Sequence, residues 1–255
     1  MAFLQEPERQ PFLRVPAVTA GLILVLIIAH VARTMAPTAL SNAIIVNYAL
    51  YPARYSHAYL AAHGLDPGSL WDRAIPFIGY VFLHANYTHL FVNCVWLLPF
   101  GAIVARRFGA ATFLLFFFVC GIFAAATHLL ANWGSTNFVI GASGAIAGVM
   151  GACFRIIAPI NAPDLQSFSA AVSGQVRFQG PLAPVFSVRI LIWSAVWLVI
   201  NLVAGTAGLG GPPTAGPQLI AWQAHMGGYL AGLILAGPFD ALGRALRPAV
   251  PDPSS

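Results

Sequence analysis

The sequence predicts an all-α polytopic membrane protein built as a bundle of six transmembrane helices. Composition gives the first indication, because 59% of the 255 residues are apolar and only 7% are charged, well outside the range of soluble domains. The second indication is that the apolar residues fall into six runs, each near the roughly 20 residues that a helix needs to cross a bilayer. Segments rich in turn residues or arginines separate these runs.

The apolar runs also define the organisation of the chain. The first run is too long and continuous for a signal-peptide core, and no convincing cleavage site follows it before Pro37, so we interpret it as a retained span. The spans are expected at residues 16–32, 87–107, 110–130, 141–157, 189–204 and 218–236. Together they form one six-span domain, residues 16–236. The domain contains a long outer loop, residues 33–86, and a cytoplasmic loop without a recognisable motif, residues 158–188. A cytoplasmic N-terminal segment, residues 1–15, precedes it, and a cytoplasmic proline-rich tail, residues 237–255, follows it.

The arginines predict how the bundle lies in the membrane. The net charge of +5 comes from twelve arginines against seven acidic residues, with no lysine. A basic chain can indicate a nucleic-acid partner, but these arginines flank apolar runs and form no basic stripe, so we expect no nucleic acid. Nine of them fall on the side that holds both termini, and the other side holds only Arg33, Arg54 and Arg73. By the positive-inside rule, the side with both termini is cytoplasmic.

Four polar side chains are predicted to lie at a similar depth near the outer surface. Ser143 stands at the outer end of span four, His89 and Asn93 near the outer end of span two, and His225 about two turns into span six. Ionisable residues are costly inside a membrane, so the two histidines are functional candidates by default. Taken singly, each has a structural alternative, since a lone histidine can be a helix contact and a serine followed by glycine can be a packing motif. Their common depth favours one shared site.

The remaining histidines and the cysteines have structural interpretations. His30 and His128 lie at span ends and are expected at the membrane interface, without a functional role. Cys94, Cys120 and Cys153 lie within apolar runs and lack the spacing of a metal site, so they are interpreted as small buried residues. The sequence therefore predicts no metal site.

Helical spacing strengthens the case for a shared site. His89 and Asn93 are four residues apart, so both lie on one face of span two. In span six, His225, Gly228 and Gly232 lie at positions i, i+3 and i+7 and so share one face. In span four, Gly144 and Gly148 form a small-residue surface that follows Gly141. Small residues let membrane helices approach closely. We therefore expect spans four and six to pack closely enough for His225 to reach Ser143.

These groups suggest the chemistry of nucleophilic catalysis. Serine is a weak nucleophile until a base removes its proton, and neutral imidazole suits that role near neutral pH, so His225 is the candidate base. The oxyanion formed by serine attack needs preorganised donors, each worth about 2.7–4 kcal/mol in soluble proteases. The backbone N–H of Ser143 and the side chains of His89 and Asn93 are candidates. No aspartate or glutamate lies at this depth, so a Ser–His dyad without a carboxylate is expected.

Three motifs carry a resemblance to a known family. They are His84-Ala-Asn-Tyr-Thr-His89-Leu-Phe-Val-Asn93, Gly141-Ala-Ser143-Gly144 and Ala224-His225-Met-Gly-Gly228-Tyr-Leu-Ala-Gly232. With these motifs in order along six spans, the chain resembles the rhomboid intramembrane serine proteases of the bacterial six-span type. The resemblance implies cleavage of transmembrane protein substrates in a lipid bilayer, here the bacterial inner membrane, with no metal or organic cofactor. It also implies that Ser143 is the nucleophile and His225 the general base. By the same resemblance, His89 and Asn93 belong to the oxyanion site, and His84 is a supporting residue.

Two departures from the family pattern concern supporting residues. Many members carry a tyrosine four residues after the nucleophile, packed against the catalytic histidine, and here Ala147 occupies that position. The chain therefore lacks the aromatic ring that usually supports the catalytic histidine in this family. An adjacent Trp-Arg pair is common in the first loop of the family, and Trp71-Asp72-Arg73 is only an approximate counterpart.

Other classes of protein fit the sequence less well. A haem or metal protein would present facing ligand pairs, and the HExxH motif of a membrane metalloprotease is absent from the sequence. A transporter would more naturally show internal repeats or intramembrane acids. The strongest rival is an inactive rhomboid-like protein that binds or escorts membrane clients, which would be expected to lack the serine or the histidine. The Gly/Pro-rich segment 205–217 is a candidate mobile cap over the site, and a flexible connector is the equally weighted alternative.

Overall fold

The structure, a computed structural model, describes residues 15–159, 165–176, 179–206 and 221–246. Within these ranges the chain is helical and contains no β strand, so the prediction of an all-α fold is confirmed. The helices are α1 (Ala17–Met35), α2 (Thr38–Tyr48), α3 (His57–His63), α4 (Leu70–Ala74), α5 (Pro76–Gly79), α6 (Tyr87–Phe108), α7 (Ala110–Ala131), α8 (Ser143–Ile157), α9 (Leu165–Ser173), α10 (Val188–Thr206) and α11 (Trp222–Ala245).

Four of the described helices, α1, α6, α7 and α10, are long and apolar enough to cross a membrane by length and composition. Helix α8 is apolar but has only 15 residues. Helix α11 has 24 residues, but its histidine, aspartate and glycines lower its mean hydropathy. Helix α8 is thus set apart by its length and α11 by its polar residues, and these are the two helices that carry the candidate serine and base. Helix α8 is largely enclosed by other helices, so it depends less on contact with lipid.

Helix α8 forms the centre of the bundle. Twelve of its 15 residues are buried, and α11, α7 and α6 pack around it. Helix α10 is the opposite case, because its buried residues are Ile190 and Gly205 alone. Most of α10 therefore presents apolar side chains outward, as expected of a helix at the lipid boundary.

The segment expected as a long outer loop, residues 33–86, holds four short helices, α2 to α5, and packs against the start of α8. Leu50 and Val139 exchange two backbone hydrogen bonds of 3.1 and 3.0 Å. The Tyr80 hydroxyl donates to the Gly121 carbonyl of α7 at 2.8 Å. In α4, Asp72 closes a capping box with Ser69, and the hydrogen bonds from Ser69 hold the pKa of the Asp72 carboxyl below its ordinary value. The outer segment is thus an ordered part of the fold.

Helix α11 continues to Ala245, beyond the expected end of span six near Ala236. The extension carries Asp240, which accepts two hydrogen bonds from the Arg107 guanidinium of α6 at 2.7 and 2.8 Å. Both side chains are buried, with 7% and 3% of their surfaces exposed. Arg244, one turn further along α11 and largely exposed, adds a bond of 2.7 Å to the same carboxylate. A paired carboxylate keeps this part of α11 docked on α6.

The substitution Asp240→Asn is expected to lower the free energy of unfolding by about 3–5 kcal/mol, because it removes the carboxylate that pairs with the buried Arg107 charge. The matched control is Arg244→Ala, which removes the exposed partner of the same carboxylate and is expected to cost about 0–1 kcal/mol. Reversible unfolding in mixed detergent micelles measures both. Equal losses from the two variants would show that burial of the pair does not set its contribution.

Candidate active site

Ser143 is the first residue of α8 and follows a sharp turn in the backbone. Gly141 has φ +118°, a conformation that suits glycine, and its N–H donates to the Tyr80 carbonyl at 2.9 Å. The serine is half-buried. Its backbone N–H belongs to the first turn, where no carbonyl one turn earlier can accept it, and it lies at the positive end of the helix dipole.

The His225 side chain reaches Ser143 from the first turns of α11. Its Nε2 atom lies 2.7 Å from the serine Oγ atom. This short hydrogen bond joins two residues that are 82 positions apart in sequence and lie on different helices. This is the geometry in which a serine hydroxyl donates to an imidazole base.

Backbone contact between α8 and α11 brings the serine and the histidine together. A Cβ atom at Gly228 would overlap the Gly144 carbonyl oxygen, and a Cβ atom at Gly232 would overlap the Gly148 carbonyl oxygen. In the other direction, a Cβ atom at Gly148 would lie 2.8 Å from the Gly228 carbonyl oxygen. The glycines on both helices are therefore required by the interhelical distance itself.

His89 lies on the other side of the serine, against the turn at Gly141. A Cβ atom placed on Gly141 would lie 2.7 Å from His89 Nε2 and 3.8 Å from Ser143 Oγ, so the two side chains flank the same glycine. The Ala85 N–H donates to His89 Nδ1 at 3.4 Å, which assigns the ring proton to Nε2. Asn86 caps α6 by accepting the His89 backbone N–H at 2.8 Å. The imidazole thus presents an N–H donor toward the start of α8.

Asn93 is buried, one turn beyond His89 on the same helix. Its Nδ2 atom donates to the His89 carbonyl at 2.9 Å, which fixes the orientation of the carboxamide. The second hydrogen of Nδ2 remains for another acceptor.

The His84 ring packs against the His89 ring. The two rings meet edge to face, with centroids 5.2 Å apart, and His84 is fully buried. Burial lowers the pKa of His84 to about 3, and the neighbouring His89 and His30 act in the same direction. The Arg33 guanidinium donates to the His84 carbonyl at 2.8 Å. A neutral, packed His84 restricts the position of the His89 ring.

His30 and His128, which are expected at the membrane interface, are both buried inside the protein. His30 is 1% exposed and packs edge to face against His84, with ring centroids 6.2 Å apart. His128 is 5% exposed, and its Nδ1 atom lies 3.3 Å from Asn132 Nδ2. Position at the end of an apolar run does not reveal this burial, which for His30 comes from contact with His84 of the outer segment.

One partner of the site was missed by sequence reasoning. Asn201 of α10 lies 2.8 Å from His225 Nδ1 through its Oδ1 atom. Ala147, at the position where a bracing tyrosine was considered, is buried and contributes no polar group. The signal for Asn201 was present, since an asparagine within an apolar span is itself unusual. A carboxamide oxygen can accept a hydrogen bond from histidine as a carboxylate does.

Two further expectations bear on the surroundings of the site. The candidate cap is expected at residues 205–217. Its first two residues, Gly205 and Thr206, end α10, and residues 207–217 lie outside the described part of the chain. In the described ranges, no three His, Cys, Asp or Glu side chains cluster in a way that could hold a metal ion.

The fold and the site define a polytopic helical membrane protein with a serine and a histidine hydrogen-bonded inside the bundle. A family model for the rhomboid domain matches residues 68–239, more than half of the chain. The chain therefore belongs to the rhomboid family and is an integral membrane protein. Members of this family are generally intramembrane serine proteases, although some are inactive. No curated protein matches the chain.

Proposed function

We propose that this rhomboid-family protein is an intramembrane serine endopeptidase that cleaves transmembrane segments of membrane proteins. The observation that carries the proposal is the 2.7 Å hydrogen bond between His225 Nε2 and Ser143 Oγ. An inactive relative that only binds clients has no chemical need for a nucleophile paired with a base.

In the proposed reaction, Ser143 Oγ attacks the scissile carbonyl while its proton passes to His225 Nε2. The tetrahedral intermediate collapses as the protonated imidazole gives that proton to the leaving amine, which produces an acyl-enzyme and the first peptide product. A water molecule then attacks the acyl-enzyme with His225 again acting as the base, and Ser143 leaves with its proton restored.

The oxyanion of the proposed intermediate is stabilised by N–H donors at the start of α8. The backbone N–H of Ser143, the Nε2–H of His89 and the free Nδ2–H of Asn93 are the donors assigned to this role. His84 holds the His89 ring by packing, and Gly141 leaves the space that the ring occupies. Fixed donors of this kind typically contribute about 2.7–4 kcal/mol each.

The proposed substrates are membrane proteins with a single apolar helix that unwinds near the outer surface. An intact helix keeps its carbonyl groups in backbone hydrogen bonds, so local unwinding is needed before serine can attack one. The arginine distribution supports a six-span arrangement with both termini in the cytoplasm, in a bacterial inner membrane. In that orientation the serine lies toward the outer surface.

The test compares wild type with Ser143→Ala in proteoliposomes that contain fluorescent transmembrane peptides. Wild type is expected to release product, and Ser143→Ala none, because alanine has no nucleophilic oxygen. The matched control is Ser135→Ala, which removes a hydroxyl from the connection before α8 and is expected to keep activity. Equal product from wild type and Ser143→Ala would refute the protease. Peptides bound but left intact by wild type would favour the inactive relative.

A further inference from the structure

The imidazole of His225 has hydrogen-bond partners on two helices besides its own. Nε2 pairs with Ser143 of α8, and Nδ1 lies 2.8 Å from Asn201 Oδ1 of α10. Asn201 is half-buried in a helix that is otherwise almost entirely apolar. A carboxamide in such a span is costly unless its polar atoms are used.

A second hydrogen bond determines which way the Asn201 carboxamide faces. Its Nδ2 atom donates to the Trp197 carbonyl at 2.9 Å, and a carbonyl can only accept. The nitrogen therefore faces the α10 backbone, and the oxygen faces His225. Since Oδ1 can only accept a hydrogen bond, the hydrogen between these two residues belongs to His225 Nδ1.

This arrangement fixes the tautomer of the imidazole. A neutral histidine has one N–H, and if Nδ1 carries it, Nε2 has a lone pair. Ser143 can then donate its hydroxyl hydrogen to Nε2, as general-base catalysis requires. In the other tautomer Nε2 would itself donate, and it could not accept the serine proton.

We propose that Asn201 is a positioning residue that orients His225 and selects its Nδ1–H tautomer, an inference that rests on the proposed protease function. Ser143, His225 and Asn201 then form a directional chain of hydrogen bonds across α8, α11 and α10. The side chain that supports His225 thus comes from α10. It takes the place of the tyrosine ring that many family members carry at the position of Ala147.

The position of Asn201 is held by a ladder of contacts between α10 and α11. The Trp197 ring stacks on the Tyr229 ring with centroids 4.3 Å apart and an angle of 17°. The Tyr229 hydroxyl lies 2.6 Å from Ser194 Oγ. Ser194, Trp197 and Asn201 are three and four residues apart, so they lie on one face of α10. Tyr229 follows His225 by one turn, and the ladder thus places Asn201 opposite the base.

The first experiment reads the tautomer directly, without any activity assay. Nitrogen-15 NMR of the labelled protein distinguishes a protonated Nδ1 from a protonated Nε2, and His225→Gln assigns the signal. Wild type and Ser143→Ala are both expected to show the Nδ1–H tautomer of His225. Asn201→Leu, which keeps the approximate side-chain volume without an acceptor, is expected to give a mixture. An Nε2–H tautomer in wild type, or an unchanged signal in Asn201→Leu, would overturn the proposal.

The second experiment measures cleavage. Asn201→Leu is expected to lower kcat about 10- to 100-fold, the range seen when the hydrogen-bond partner of a metal-bound histidine is removed. KM should stay unchanged, because Asn201 acts through its hydrogen bond to the base. Asn201→Asp keeps an acceptor oxygen and should retain more activity than Asn201→Leu. Equal kcat for these two variants would contradict the proposal.

Val199→Ala is the matched control in α10. It shortens an exposed apolar side chain and leaves both the ladder and the bond between Asn201 and His225 in place, so it is expected to keep the tautomer and kcat of wild type. A loss equal to that of Asn201→Leu would assign the effect to packing of α10 and overturn the positioning role. If instead Ser143→Ala cleaves as well as wild type, the protease proposal fails, while the NMR result still decides the role of Asn201.

Discussion

His225→Ala is expected to reduce peptide cleavage by about 10⁴-fold or more, the scale seen when the histidine of a soluble serine protease is removed. The imidazole accepts the serine proton and then returns it to the leaving amine, so its loss affects both halves of the reaction. Substrate binding should change little. The measurement is single-turnover cleavage of a transmembrane peptide at saturating enzyme, which separates the chemical step from binding.

The double variant Ser143→Ala/His225→Ala provides the sharper check. Residues that act as one unit give losses that do not add, so the double variant should be no slower than either single variant. His57→Ala is the matched control, because His57 is exposed on α3 and far from the site in sequence. Substantial activity in His225→Ala, or additive losses in the double variant, would contradict the assignment of the base.

The helical part of the fold could be predicted because each span carries its own signal. Five helices, α1, α6, α7, α8 and α10, agree with the expected spans to within a few residues, since run length and hydropathy are local properties. The short helices of the outer segment were not predicted. Their sequences are mixed, and helices of 4–11 residues depend on packing against the bundle.

The contact between Ser143 and His225 also follows from local patterns, because glycine spacing fixes which helix faces meet. The bond to Asn201 does not follow from them. It depends on the register of α10 against α11, which the stacking of Trp197 on Tyr229 sets in three dimensions. The burial of His30 is similar, since it results from the outer segment that covers the end of α1. Sequence periodicity gives the face of a helix but not the neighbour that the face meets.

The second large effect is expected from Gly228→Ala, a substitution that adds one methyl group. Its Cβ atom would overlap the Gly144 carbonyl oxygen, and neither backbone can rotate away as a side chain could. Helices α8 and α11 must therefore move apart. Overpacking of this kind costs about 1–3 kcal/mol or more of unfolding free energy. A displacement of about 1 Å between catalytic groups can lower the rate about 100-fold.

The matched control lies in the same helix. A Cβ atom at Gly237 would have Arg155 Nη1 as its neighbour at 3.9 Å, an ordinary contact distance, so Gly237→Ala is expected to leave cleavage unchanged. Alanine favours helix over glycine, but Pro238 follows and its ring disfavours helical backbone at the residue before it, so Gly237→Ala should change the stability of α11 by less than about 1 kcal/mol. Thermal unfolding and cleavage are measured on both variants. Normal cleavage by Gly228→Ala would mean that the serine and its base meet without the backbone contact between α8 and α11, and the packing origin of the site would have to be abandoned.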